Sequence, residues 1–400
     1  MLHLLPSHPE TGFQLIYLGL GLVLSLSLFE LMDHLGIDRR IALAIALLFT
    51  LSPSTILYEN LLFYEYPLTA LFTVAALFLH RFATSGKLRD GVVFFSATAL
   101  IAGIRSIYSL FWYAVLILIV FLARRDSRRR TMQAAAIPAL LLTAFYVKHF
   151  VMFHEFAPGG RAFMALNLSS VLVDPVPEDA LDKLIAAGKI TPILKDDMFE
   201  LGDDFDVSPS ESPLSKIVPV PPKTGIPVLD NCIKSTQAFN WNCAWAADAA
   251  DVYTKDSWVV FRNYPSAYLE SLRGNIPRYF LPDTENWPFD GRKVDANEQI
   301  LSRPLAVYNL LTSGEWPPAV EHPWLAYIAL PTLVAFGLWS FVRNPASRLV
   351  LGFMLGNILY ISGIVIVLAA ADQNRYRTEV SAFYAVLLGI ALQRIAARNN

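Results

Sequence analysis

Charge is scarce in this 400-residue chain: Asp, Glu, Lys and Arg together make up 16% of it, where an ordinary soluble domain carries about 25%. With 54% hydrophobic residues and a mean hydropathy of +0.43, that shortage excludes a string of soluble domains. The net charge is −2, so the basic excess of a nucleic-acid binder is missing and no nucleic-acid partner is expected. Cysteine is almost absent. Its two copies, Cys232 and Cys243, fall in one polar region, and no Cys/His spacing resembles a zinc site. They either close a small disulfide loop, if that region lies outside the cytoplasm, or are two unrelated thiols. Residues 1–11 lack the basic start and the cleavage site of a signal peptide, so none is expected there. No internal repeat and no low-complexity tract stands out.

What is present is a succession of apolar runs long enough to cross a bilayer, about 17 to 25 residues each. Spans are expected at about Phe13–Leu35, Ile41–Leu57, Pro67–Leu79, Gly91–Ile104, Tyr108–Ala123 and Ala134–Val151, then at Trp324–Val342, Leu349–Ala370 and Val380–Ile395. The pattern predicts an all-α multi-pass membrane protein of about nine transmembrane helices. One large, mainly α extracytoplasmic domain is inserted before the last three. The domains are therefore 1–151, an N-terminal bundle of six helices; 152–322, the outer domain; and 323–400, a C-terminal bundle of three.

Basic residues in short loops stay cytoplasmic and set the orientation. One set of alternate loops holds Arg39, Arg40, Arg81, Lys87, Arg89, the five arginines of 124–130, Arg343, Arg348, Arg394 and Arg398. The other holds only Arg105, Arg375 and Arg377. The first set is assigned to the cytoplasm, so the N-terminus, the 58–66 turn, the Arg105 turn, the 152–322 domain and the 371–378 loop face outward. Either the first helix inserts in that direction unaided, or a further helix and its outer loop precede Met1.

Four outward features carry the polar chemistry. Glu59 and Glu65, set among Tyr58, Asn60, Tyr64 and Tyr66, are the candidate catalytic residues. A carboxylate at the mouth of a membrane helix is costly unless it meets water, a partner or a substrate. One of the two could serve as general base to an acceptor hydroxyl; the plainer alternative is an interfacial carboxylate that reaches water. Arg105, alone in an apolar hairpin, is either a phosphate contact or a counter-ion to a glutamate. Asn374, Arg375, Tyr376 and Arg377 suit a phosphate held by bidentate hydrogen bonds, or a solvated anchoring loop. Lys148 and His154, at the exit of the sixth span, bring positive charge to the outer face, where an anionic head group would account for it; an amphipathic interfacial helix is the alternative. The Asp203-Asp204-Phe205-Asp206 stretch reads as a solvated acidic loop rather than a metal site. No metal ligand set and no certain cofactor is identified; a divalent metal has no residue to support it.

Three patterns in this order resemble the GT-C superfamily. They are Leu51-Ser52-Pro53 with Tyr58-Glu59 and Tyr64-Glu65-Tyr66-Pro67; Tyr146-Val147-Lys148-His149 before a Gly-rich segment; and Asn374-Arg375-Tyr376-Arg377 before the last span. These integral-membrane glycosyltransferases, including the protein O-mannosyltransferase and aminoarabinose-transferase types, use polyprenyl-phosphate sugars. The resemblance covers most of the membrane part and little of the outer domain. It implies transfer of a sugar from a polyprenyl-phosphate donor to a glycan, lipid or protein acceptor at the extracytoplasmic face. The setting it implies is a bacterial cytoplasmic (inner) membrane. Family members carry an acidic catalytic residue, usually Asp, in the first outer loop after the first helix. Here only Glu10 precedes the first span, so the resemblance implies that such a loop lies upstream of Met1. The competing readings are a lipid or polysaccharide transporter or flippase, and a non-catalytic scaffold derived from the transferases.

Overall fold

A computed structural model describes residues 9–153, 156, 160–195, 213–234, 239–284, 298–314, 323–369 and 372–399. In chain order its main helices are α1 (Pro9–His34), α2 (Arg39–Thr50), α3 (Pro53–Glu59), α4 (Glu65–Ser85), α5 (Leu88–Ile104), α6 (Leu110–Ala123), α7 (Arg128–Phe153), α8 (Gly160–Val173) and α9 (Glu178–Ala186). They continue as α10 (Ala244–Asn263), α11 (Pro265–Phe280), α12 (Glu298–Ser313), α13 (Trp324–Arg343), α14 (Arg348–Leu368), α15 (Gln373–Thr378) and α16 (Ser381–Asn399). Among the described residues there is no β-strand, only an isolated antiparallel bridge between Ile233 and Phe239.

The protein is all-helical, and five of these helices are long and apolar enough to cross a membrane: α1, α4, α7, α13 and α14. A sixth crossing is made if α2 and α3 count as one span bent by 55°. The bend has a local cause. Ser52 accepts a hydrogen bond from the Thr55 N–H at 3.2 Å, and Pro53 occupies the first helical position, so a new helix is capped where the old one ends. The other three expected spans are helices as well. However, α5 and α6 run for only 17 and 14 residues, against the roughly 20 a bilayer calls for, and α16 carries Gln393 and Arg394.

The chain divides into two compact units. The first comprises residues 1–144, 277–363 and 372–400. Its helix ends follow from short-range signals. Asp38 caps α2 through the Arg40 N–H at 2.9 Å, and Ser109 caps α6. Gly86 ends α4 with φ at 63° and its N–H on the Phe82 carbonyl, a left-handed position that costs glycine nothing. At Gly91 a Cβ would lie 2.9 Å from the Ala134 Cβ and 3.0 Å from the Phe82 ring, so α4, α5 and α7 approach as closely as small residues allow in membrane bundles. Phe72 sits at the centre of this unit against Tyr108 at 5.1 Å and Phe383 at 5.8 Å.

One local recurrence exists that reading along the chain did not register. Arg128 donates from Nε to the Phe121 carbonyl and lies over the Phe121 ring; Arg348 does the same to Phe341. Each hairpin thus turns through a single 3₁₀ loop, 125–127 or 345–347, with a buried serine, Ser127 or Ser347.

The second unit comprises residues 145–276 and 364–371, so α12 and the end of α11, expected in the outer domain, belong to the first unit. In the second unit α8 packs along α10, with Leu166, Leu172, Leu184, Ile193, Trp245 and Tyr253 in a shared core. Cys232 and Cys243 form a disulfide, with Cα atoms 5.1 Å apart. Asp256 is buried and accepts from the Thr191 N–H at 2.7 Å and its hydroxyl at 2.6 Å. Trp245 is core, whereas Trp258 is 45% exposed.

Candidate functional site

In the first unit, a cluster of charged side chains is buried beside the start of α4. Glu65 opens that helix and is fully buried, with the helix N-terminus favouring its negative charge. Arg105 terminates α5 in an extended conformation (φ −134°, ψ 123°), which aims its side chain back at α4. Arg375 lies on α15, and Glu379 follows that short helix. One carboxylate oxygen of Glu65 stands 3.5 Å from Arg105 Nη1 and 3.3 Å from Arg375 Nε. Arg105 Nη1 also pairs with Glu379 Oε1, whose other oxygen accepts from the Tyr108 hydroxyl at 2.7 Å. Arg375 Nη1 is 3.8 Å from Asp372. Charges therefore alternate, Glu379–Arg105–Glu65–Arg375–Asp372, which is the arrangement that lets buried ions persist.

The aromatic walls complete the enclosure. The Arg105 guanidinium lies 4.4 Å from the Tyr64 ring centroid and 4.0 Å from that of Tyr376, a cation–π contact on two rings. Arg375 lies 5.3 Å from the Phe63 centroid. Burial pushes the Tyr64 phenol above its usual range, partly offset by Arg105. Burial works most strongly against the Arg375 charge, but Glu65, Tyr64, Tyr376 and Asp372 together outweigh it and raise that guanidinium further. Glu65 Oε2 is buried with no hydrogen-bond partner among the described residues.

The backbone that carries α15 is pinned from several directions. Thr69 of α4 donates to the Thr378 carbonyl at 2.9 Å. Asn374 donates its amide to the Pro282 carbonyl at 2.6 Å. Arg377 forks onto the carbonyls of Tyr279 and Leu281, at 2.6 and 2.8 Å, satisfying acceptors left over at the end of α11. Asp372 holds φ at 58°, the only positive φ at a non-glycine among the described residues, a conformation Asp tolerates better than most.

Beside α11 lies another buried acid, Asp283. It accepts from the Ser54 hydroxyl at 2.6 Å and the Tyr308 hydroxyl at 2.8 Å, and its carbonyl accepts from Tyr58 at 3.0 Å. Burial, with Asp283 next, holds the Tyr308 phenol well above its ordinary range.

The structure thus joins Glu65, Arg105, Arg375 and Tyr376 into one cluster and sets Asn374 and Arg377 to anchoring its backbone. Glu59 is not in it. Glu59 is half-buried on α3, where a Cβ at Gly21 of α1 would lie 3.2 Å from its carboxylate and 2.6 Å from the Tyr66 hydroxyl. Lys148 is exposed on the part of α7 that belongs to the second unit. His154 lies outside the described residues, as do Asp203, Asp204 and Asp206. Among the described residues no group of three His, Cys, Asp or Glu side chains could hold a metal ion. Sequence reasoning missed Glu379 and Asp283 as site members. Glu379 carried a signal, four positions after Arg375; Asp283 carried none.

No protein-family description, curated protein or solved structure matches this chain.

Proposed function

We propose that this protein is a GT-C-type glycosyltransferase of the membrane, transferring a sugar from a polyprenyl phosphate to an acceptor at the face bearing Glu65. The observation that carries the reading is the separation of charge along α4. Arg130 donates to the Gly86 carbonyl at 3.0 Å, which ties the arginine-rich turn to the C-terminal end of α4. The Glu65–Arg375 cluster occupies its N-terminal end. The 21 residues between span about 31 Å at 1.5 Å each, the hydrocarbon thickness of a bilayer. By the positive-inside rule the cluster then faces away from the cytoplasm. In this reading α5, α6 and α16 also cross, giving nine spans, and the second unit is extracytoplasmic.

Arg375, between Glu65 and Asp372 in the cluster, is the phosphate contact, stabilising the charge that leaves with the lipid phosphate. Glu65 holds Arg375 in place and is the carboxylate nearest to it for an acceptor hydroxyl. Arg105 and Arg377 are assigned structural work, since two rings cover the first and two carbonyls occupy the second.

The test is turnover of polyprenyl-phosphate sugars by the full chain in membrane vesicles. Arg375→Ala is expected to lower turnover about a hundredfold or more, and Glu65→Gln comparably, in protein that still elutes as a folded species. Unchanged turnover in both variants would refute the site. A scaffold without catalysis is the second reading, favoured by the complete burial of Glu65. It predicts no turnover by the wild type with any such donor.

A further inference from the structure

A cavity of about 920 Å³ opens in the first unit between α4, α6, α13 and α14. Its walls are apolar over most of their length, with Leu116 of α6 and Phe353 of α14 among them. Arg124 and Arg348 stand at one end; Trp112 and Tyr360 stand at the other. Among the described residues no acidic side chain lines it. Arg124 Nε is buried without a hydrogen-bond partner among the described residues, an uncompensated donor that an occupant without an acceptor oxygen would leave so. Along α14 the distance from Arg348 to Tyr360 is about 18 Å at 1.5 Å per residue. One leaflet of hydrocarbon is about 15 Å, half of the bilayer core.

We infer that this groove binds an anionic phospholipid from the leaflet that meets the arginine-rich turns. Its phosphate sits against Arg124 and against Arg348, whose Nε and Nη2 are held by the Phe341 and Val342 carbonyls and whose Nη1 is the group offered to it. One acyl chain runs along α14 toward Trp112 and Tyr360. Two cations at the mouth, with no acid in the walls among the described residues, favour an anionic over a zwitterionic head group. The one-leaflet depth fits an acyl chain and is short for a polyprenyl tail. The site stands at the end of α4 opposite Glu65, so it does not depend on sugar transfer.

The glycine at position 356 offers a clean control. It lines the groove, and a Cβ there would meet nothing within 4 Å. Gly356→Leu therefore places its Cβ without a clash and extends the side chain from the groove wall toward the tail channel, and leucine suits a helix better than glycine.

The experiment is native mass spectrometry of the full chain extracted from vesicles of equal phosphatidylglycerol and phosphatidylcholine. The wild type is expected to retain phosphatidylglycerol over phosphatidylcholine by roughly thirtyfold, the preference two basic residues near a membrane surface supply together. The double variant Arg124→Ala, Arg348→Ala should retain both lipids about equally, and Gly356→Leu should retain neither. Equal retention by the wild type would overturn the proposal, whatever the variants do. So would polyprenyl phosphate displacing phosphatidylglycerol at equimolar concentration from the wild type, because the groove would then belong to a different tail.

Discussion

Replacing Arg105 by methionine removes the only cation among the described residues that is ion-paired to both buried glutamates, while keeping a long unbranched side chain. Glu379 is then left with the Tyr108 hydroxyl, and Glu65 with Arg375 alone. At the 3.5 Å separation of Arg105 and Glu65, a unit pair interacts by about 5 kcal/mol at an effective dielectric of about 20. Removing one partner of a buried pair costs about 3–5 kcal/mol, because the remaining charge stays desolvated. For a unit of this size that corresponds to a fall in apparent melting temperature of roughly ten degrees, read by thermal unfolding in one fixed detergent. The double variant Arg105→Met, Glu379→Gln removes cation and anion together and should recover about 2 kcal/mol of the loss. A surface comparison sharpens the test. Arg81 pairs with Glu30 at a partly exposed position, so Arg81→Met should cost less than about 1 kcal/mol. If Arg105→Met costs no more than Arg81→Met, the cluster is solvated and its description as a dry ion chain is wrong.

Other outcomes follow from separate parts of the fold. Cys232 and Cys243 are 11 residues apart, and loss of so short a closed loop by Cys232→Ser should destabilise the second unit by about 3 kcal/mol, measured by urea unfolding against the oxidised wild type. Tyr308 holds its proton more tightly folded than unfolded; its stabilising effect is complete below the ordinary tyrosine pKa of about 10 and is lost as pH rises beyond it. Tyr308→Phe should therefore be less stable near neutrality and should flatten the loss of stability above about pH 10, and an unchanged alkaline limb would refute this. Membrane-impermeant thiol labelling of Asn60→Cys and Lys87→Cys, with the native pair intact, should modify the two from opposite sides. Labelling from the same side would sink the proposed topology.

Much of the fold was legible in the residues. The apolar runs foretold the helices because satisfying the backbone in a bilayer leaves little choice but a helix. Asp38, Ser52, Ser109 and Gly86 mark helix ends through contacts only a few positions away. The site was legible in part. The 371–378 loop and Glu65 were both recognised as unusual because charge is rare at such places. Their partners were legible only in part: Arg105 read as either a phosphate contact or a counter-ion to a glutamate, whereas Arg377 read as a phosphate ligand or part of a solvated loop and Glu59 as a companion of Glu65.

What the sequence by itself determined is the kind of protein: helices of bilayer length, basic turns set apart from acidic ones, and caps between them. Those depend on local polarity and on distances of a few residues. Only the tertiary structure decided which charges meet. Glu65 and Glu379 are more than 300 positions apart in the chain, yet both touch Arg105 because α4, α5 and α15 converge there. A run of residues encodes the length and polarity of a helix. Which neighbour its face will turn to depends on packing summed over the whole bundle.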